Sequence, residues 1–321
     1  MSPLVFDPLF KRIRWGGRRL GSVLHKPIGP EEDYAESWEI ADHGADQSVV
    51  SMGDFAGQTL AQLVERQNVP LLGRHTGREQ FPLLVKFLDA SDVLSVQVHP
   101  DDLLAREFDP AENGKTEAWV ILDAEPGSEL FVGLKSGVTP KELRTCLETG
   151  TVENLLHRFT ARTGDCIFVP AGTVHAIGAG VLLAEIQQSS DLTFRMHDWG
   201  RMGADGKPRE LHIDSALRAT DFRRGPVDPV TPRLMESDHH QEELVRSDHF
   251  VLHRHRGEDP FLLQDDNAFH VLMVLAGDAR LASDGEVIEM PLGQTVLLPA
   301  ERGDTVITPA SDLVLLDAFL P

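Results

Sequence analysis

The stretch LSVQVHPDD, residues 94–102, sets Gln97 and His99 two positions apart in an apolar run that stops at a proline and two aspartates. On a strand, residues i and i+2 project from the same face, so both polar side chains point into whatever the sheet covers. Burying a polar side chain without a partner costs about 1–3 kcal/mol, and a shared ligand would remove that cost for both. Two further segments offer matching groups. GKTEAWVIL puts Glu117 at the head of a strand, and VPAGTVHAIG puts His175 just after a Pro-Ala-Gly turn. Two imidazoles, a carboxylate and an amide oxygen form a mixed nitrogen and oxygen set. Such a set suits a borderline divalent ion such as zinc with one position left open, the arrangement of a catalytic rather than a structural metal.

A glutamine and a histidine two apart are weak on their own in a chain with 14 histidines. An internal repeat adds independent weight. GDCIFVPAG (164–172) and GQTVLLPAE (293–301) share a Gly, a four-residue β run and a Pro-Ala, and each follows a strand of similar character. Five residues past Pro170 stands His175, whereas five past Pro299 stands Asp304, and the second copy has no Gln-x-His run. Only the first copy is equipped, so the second is expected to be structural. His239, His240, His249, His253, His255 and His270 offer material for a second metal site, but ESDHHQEEL has the composition of a solvated loop.

Arg195 stands among Phe194, Met196 and Trp199, an apolar setting in which a guanidinium needs an anion. That anion is either a ligand or an internal partner such as Asp191, Asp198 or Glu185. Lys115, two residues before Glu117, falls on the same face and can supply a second positive charge or a titratable amine.

The elements that must position these residues are mostly short strands punctuated by Gly, Pro and Asp: 82–90, 93–100, 117–124, 165–172, 181–189, 270–278 and 295–301. The pattern is that of antiparallel jelly-roll barrels, not of alternating strands and helices. Helices read as insertions in the first copy. One spans about 54–68, with Asp54 as N-cap and Leu60, Leu63 and Val64 at helical spacing. Another spans about 139–157, opened by a capping box of Thr139 and Glu142 with Pro140 at the first helical position; Gly150 closes a first helix and 151–159 continues as a second. The proline-rich stretch near 223–234 marks a boundary, giving an expected first domain over 1–228 and a second over 229–321.

Length and composition bound the function. A chain of 321 residues suggests about two domains. No apolar run approaches the roughly 18 residues of a spanning helix. The N-terminal stretch lacks the features of a secretory signal, and the two cysteines, Cys146 and Cys166, fit a reduced cytosol, so a cytoplasmic protein is expected. With 51 acidic and 30 basic residues the formal charge is −21, which repels nucleic acid and anionic lipid. A small anionic substrate remains open, because converging Arg and Lys residues set their own local potential.

Taken in order, LSVQVHPDD, GKTEAWVIL, VPAGTVHAIGAG, EIQQSSDLTFRMHDWGR and GKPRELHIDSAL, with WGGRRL and ESWEIADH upstream, resemble the type I mannose-6-phosphate isomerases in their short bacterial form, over roughly residues 9 to 220. The resemblance implies a mainly β protein of two cupin jelly-roll β-barrel modules, with helical insertions in the first. It implies one zinc ion per chain and interconversion of mannose 6-phosphate and fructose 6-phosphate through an enediol. Gln97, His99, Glu117 and His175 fall on the family's metal ligands, Arg195 on its active-site arginine, and Lys115 and Glu185 on pocket positions. The family's short form often has Tyr before the arginine, where this chain has Phe194. The proton shuttle stays open between Glu185, Lys115 and a zinc-bound water. Other readings of the same scaffold are a cupin dioxygenase, a different sugar isomerase or epimerase, and a non-catalytic sugar-phosphate sensor. A monomer is expected, although the residues do not specify an oligomeric state.

Overall fold

Strand Leu83–Ala90 explains how the chain is layered: every one of its residues is buried, so both of its faces are covered. In the computed structural model, which describes residues 1–202, 206–235 and 238–321, this strand lies inside a six-stranded antiparallel sheet. The order of that sheet is Cys166–Val169, Glu117–Ala124, Val181–Gln188, Leu83–Ala90, Tyr34–Ile40 and Leu9–Gly17. One face, carrying Leu88, Trp119, Ile121 and Leu183, packs on Leu130, Val132 and Ile177 of a five-stranded sheet. That second sheet runs Leu156–Thr160, Glu129–Leu134, His175–Ile177, Val96–Val98 and Phe194–His197.

The C-terminal part repeats this plan. A six-stranded sheet of order Thr295–Leu298, His270–Ala276, Leu313–Phe319, Val251–Gly257, Asp238–Arg246 and Arg233–Met235 faces a four-stranded one. The latter runs Phe261–Leu263, Thr305–Pro309, Ala279–Ser283 and Glu286–Met290. Ranked along the chain, the strands of the two six-stranded sheets take identical places, so the repeat seen in GDCIFVPAG and GQTVLLPAE is a repeat of topology. The two six-stranded sheets turn their remaining faces toward each other and share one core. Val85, Phe87, Val120 and Ile186 from one side meet Leu252, Val271, Met273 and Leu316 from the other, with Leu60, Leu63 and Val64 beside them. The first residues reach across as well: Leu4 exchanges both backbone hydrogen bonds with Leu297, at 2.8 and 2.9 Å.

The protein is therefore mainly β, as the strand pattern suggested, but among the described residues the sheets do not close into barrels. Hydrogen bonding ends at the edge strands, and the gap between edge strands Leu9–Gly17 and Phe194–His197 is the mouth of a cavity lined by Ile13, Trp15, Thr193 and Arg195. Closing the ladder there would cover the cavity that leads to the buried polar groups behind it.

The helical stretches differ from the sequence reading in detail. Helix Leu60–Arg66 is capped by Thr59, whose side chain accepts from the Gln62 N–H in a capping box, so Asp54 lies in the preceding turn and not at the cap. A separate helix, Asn68–Leu72, follows. Helix Pro140–Thr149 has the expected Thr139–Glu142 box and ends on Gly150 at φ +70°. Beyond it only a short 3-10 turn, Val152–Leu155, forms, and Leu156–Thr160 is a strand. Leu156 is needed by the core there and its strand pairs with Glu129–Leu134. This helix accounts for the longer first copy, because the equivalent hairpin of the second copy turns tightly on Asp284 and Gly285, at φ +51° and +79°. ESDHHQEEL is likewise not a loop over its described part: Asp238–Arg246 is a strand paired with Val251–Gly257. The side chain of His239 lies outside the described residues.

Candidate active site

The site sits on the facing surfaces of the first sheet pair. Gln97 lies opposite His175 on one neighbouring strand and opposite Arg195 on the other, so cross-strand register brings three of the expected residues to one surface. Glu117 begins strand Glu117–Ala124 of the opposing sheet, and Glu185 faces Lys86 and Trp119 within that sheet. His99, just past strand Val96–Val98, turns toward the same point.

The two imidazoles are held by their outer nitrogens. His99 Nδ1 lies 3.0 Å from the Leu192 carbonyl oxygen, and His175 Nδ1 lies 2.9 Å from that of Thr173. A carbonyl oxygen only accepts, so both Nδ1 atoms carry the proton and both Nε2 atoms present a lone pair. They face Glu117: His99 Nε2 is 3.6 Å from Oε2 and His175 Nε2 is 3.4 Å from Oε1. All three residues are buried, and their ligand atoms lie within 4.8 Å of one another. The Gln97 amide closes the set, with its Nε2 at 3.2 Å from His175 Nε2; turning the amide over presents Oε1 to the same point.

Two lone pairs aimed at a carboxylate repel it. His99 Nε2 and Glu117 Oε1 are buried without a hydrogen-bond partner, which in a protein interior costs about 1–3 kcal/mol each. Burial lifts the Glu117 carboxyl to about 7 against the pull of Lys115. Burial also lowers the His175 imidazole to about 4 and holds that of His99 well below its usual range. Two neutral imidazoles and a desolvated carboxyl converge on one point, and a divalent cation would satisfy all of them.

Lys115 Nζ is 3.1 Å from Glu117 Oε2. Its burial alone favours the neutral amine, but Glu117, Glu185 and Asp191 outweigh it and raise its pKa, so it stays an ammonium. Glu185 is buried too, yet Lys115 and Lys86 keep it ionised by lowering its pKa. Its Oε2 accepts from Trp119 Nε1 at 3.0 Å, and its Oε1 lies 3.5 Å from Lys86 Nζ. The floor thus opens into a cavity of about 220 Å³, whose lining includes Gln97, Lys115, Glu185, Lys86, Arg195 and Arg209.

Among the described residues Arg195 makes no ion pair with Asp191, Asp198 or Glu185. Asp198 is held instead by Arg201 and Arg209. Arg195 Nη1 donates to the Glu210 carbonyl at 3.0 Å, and its Nε is buried without a partner. Burial and the nearby Arg209 both act against its charge. Two guanidiniums kept close at the mouth of a cavity make a site for an anion. Phe194 packs its ring on Phe108 at 4.7 Å, an apolar contact that needs no phenol hydroxyl.

Sequence reasoning missed Lys86 and Arg209. Lys86 is 3% exposed, lies 3.6 Å from Glu36 Oε2 as well as near Glu185, and stands 4.6 Å over the Trp38 ring. The signal was available in PLLVKFLDA, where one lysine interrupts an apolar strand, the same pattern that singled out Gln97 and His99.

Comparison with known proteins places this geometry in a family. Residues 4–125 match the family model of the catalytic domain of type I phosphomannose isomerase. The mannose-6-phosphate isomerase ManA of Bacillus subtilis is 36% identical over 309 residues, covering 94% of this chain and 95% of that protein. The mannose-6-phosphate isomerase of Streptococcus mutans is 34% identical over 93% of this chain and 92% of its own. The crystal structure of the mannose 6-phosphate isomerase from Bacillus subtilis superposes with a TM-score of 0.90 at 31% identity, covering 99% of each chain. The chain belongs to the type I phosphomannose isomerase family.

Proposed function

We propose that the protein is a metal-dependent aldose–ketose isomerase that interconverts mannose 6-phosphate and fructose 6-phosphate through an enediol. The observation that carries this reading is the buried Glu117 carboxyl, with Lys115 on one side, facing two imidazole lone pairs at the floor of a cavity rich in cations. Gln97, His99, Glu117 and His175 would hold one zinc ion. When bound, the ion would supply Lewis-acid polarisation of the sugar carbonyl, worth several kcal/mol of barrier.

The chain's own groups do the rest. Arg195 and Arg209 bind the phosphate at the cavity mouth, which fixes the sugar's distance from the floor. Glu185 is ionised and fixed by Trp119 and Lys86, so it accepts the proton from the carbon next to the carbonyl and returns it to the neighbour. Lys115 and Lys86 remain cations throughout and stabilise the negative charge that develops on the enediol oxygens. Trp15, Leu88, Leu94 and Ile177 wall the cavity and limit water access.

The two sheet pairs are two cupin modules, over 1–228 with its helical stretches and 229–321 without the metal set. The substrate is a small sugar phosphate. A charge of −21 disfavours nucleic acid and anionic membranes, and among the described residues no helix is long and apolar enough to cross a membrane. The two free cysteines fit a reducing cytoplasm, and the protein acts there as a monomer. A coupled assay on metal-replete, folded protein tests the function; mannose 6-phosphate left unchanged would end the proposal. Elemental analysis tests the ion, with zinc expected and iron pointing to oxygenase chemistry.

A further inference from the structure

The second sheet pair carries a polar cavity at the place that corresponds to the active site. Glu117 and His270 occupy the same register, each opposite the last residue of the edge strand that precedes the Pro-Ala turn, Val169 and Leu298 respectively. Glu185 faces Lys86 in the first pair, and Asp317 faces His253 in the second. A cavity of about 400 Å³ opens there, lined by Gln241, His253, His255, Asp266, His270, Asp317 and Phe319 among others.

Its chemistry differs from that of the first site. His270 is clamped between two carboxylates, with Nδ1 at 2.7 Å from Asp317 Oδ1 and Nε2 at 3.3 Å from Asp266 Oδ1. Arg302, buried alongside, lies 3.8 Å from Asp266. Arg74 also lies 3.6 Å from Asp266, so each of these cations already faces a carboxylate and an anionic ligand would have to compete for it. A metal finds no converging donors either: the only qualifying group of His, Cys, Asp and Glu among the described residues is His99, Glu117 and His175.

What the cavity does offer is a donor and an acceptor. Gln241 Nε2 donates to His253 Nδ1 at 2.9 Å, which places the proton of that ring on Nε2. His253 Nε2 is buried without a hydrogen-bond partner, 3.6 Å from the Glu243 carboxylate, which is already held by Arg233 and Arg246, each at 2.7 Å. Asp317 Oδ2 is buried without a hydrogen-bond partner. An anion, which only accepts, cannot satisfy Asp317; a hydroxyl group, which both donates and accepts, can satisfy either atom. Flat apolar surface stands beside them. The Phe319 ring lies 4.7 Å from His270 and 5.1 Å from His253, and His255 stacks on Phe261 at 4.5 Å with planes 4° apart. Hydroxyls on one edge and a C–H face against aromatic rings describe a pyranose.

We propose that this cavity is a second ligand site that binds a neutral, unphosphorylated monosaccharide. Saturation-transfer NMR on the metal-loaded protein, with D-mannose as probe, tests it. Magnetisation transfer to D-mannose is expected, unchanged when saturating mannose 6-phosphate fills the active site. His253→Ala removes the donor and Gln241→Ala removes the amide that fixes its tautomer, so each should weaken binding about tenfold, while kcat and KM for mannose 6-phosphate stay within about twofold of wild type. If His253→Ala fails to fold, Gln241→Ala decides. The proposal is overturned by a protein that gives D-mannose no transfer, by a signal lost with mannose 6-phosphate but kept in Gln241→Ala, or by displacement of D-mannose with inorganic phosphate.

Discussion

Removing His175 tests whether the buried quartet is a metal site. In His175→Ala the Nε2 that faces Glu117 Oε1 at 3.4 Å is lost, together with the Nδ1 contact to the Thr173 carbonyl at 2.9 Å that orients it. Zinc held by four protein ligands contributes about 10–16 kcal/mol, so one ligand of four accounts for about 3–4 kcal/mol, or about 10²–10³ in affinity. Exhaustive dialysis against a mild chelator followed by elemental analysis should leave wild-type protein with its ion and the variant without it. Isomerase turnover should fall with metal content and recover partly at high added zinc. In excess chelator the two proteins should unfold within about 2 kcal/mol of each other, because without metal His175 Nε2 meets only the Gln97 amide and the repelling carboxylate. A variant that keeps its ion at an affinity within about threefold of wild type would refute the assignment. So would one that loses turnover with metal content intact.

Other substitutions separate the remaining roles. Arg195→Ala should keep the metal and lower kcat/KM by about 10²–10³, the loss of two charge-assisted hydrogen bonds to phosphate; steady-state kinetics with unaltered metal content checks this, and normal turnover contradicts it. Lys86→Met keeps the side-chain length but strands the Glu185 and Glu36 carboxylates, so turnover should fall about 10²-fold without loss of metal; turnover within twofold of wild type would remove Lys86 from the chemistry. His270 is buried, but Asp317 and Asp266 outweigh burial and raise its imidazole from 6.5 to about 9. A raised folded-state pKa gives stability that is complete below pH 6.5 and lost as the pH climbs through 9, about 3 kcal/mol in all. The stability gap between wild type and His270→Gln, from urea unfolding, should therefore narrow by about that much between pH 6 and pH 10; a constant gap would show that His270 is not charged in the folded protein.

Residues that broke a local pattern were the legible ones. Gln97 and His99 stood out because a polar pair on an apolar strand demands a partner, and Glu117 and His175 followed from their places at strand heads. The repeat was legible because Gly, Pro and Ala recur at equal spacing around a β run, and the shared strand order bears it out. Sheet closure was not legible: alternation and turn residues define strands, but whether edge strands pair depends on what lies between them, here the cavity mouth. Lys86 and Arg209 were overlooked for a related reason. Their partners, Glu185, Glu36 and Asp198, are distant in sequence or shared with other cations, and only register brings them together. Asp54 and the stretch after Gly150 show propensity losing to context, since Thr59 makes a full capping box and Leu156 is claimed by a sheet core.

The second sheet pair shows how little of the fold specifies the chemistry. Thr305 lies opposite Leu263 as His175 lies opposite Gln97, so two of the four donors are replaced by an alcohol and an aliphatic chain, and Thr305 is the counterpart of His175 in place of the Asp304 reached by counting from the proline. Its smaller sheet has four described strands where the first has five, and the strand without a counterpart, Phe194–His197, is the one that carries Arg195. Restoring donors would not restore a metal site. In a Leu263→Gln, Thr305→His double variant, His270 would have to surrender its proton and leave Asp317 and Asp266, at a cost near pH 7 of about 3 kcal/mol for the proton alone. Metal content should therefore stay at one ion per chain. A second bound ion would mean that the ion pair around His270 yields to coordination, and that the balance of charge in this cavity is weaker than its geometry implies.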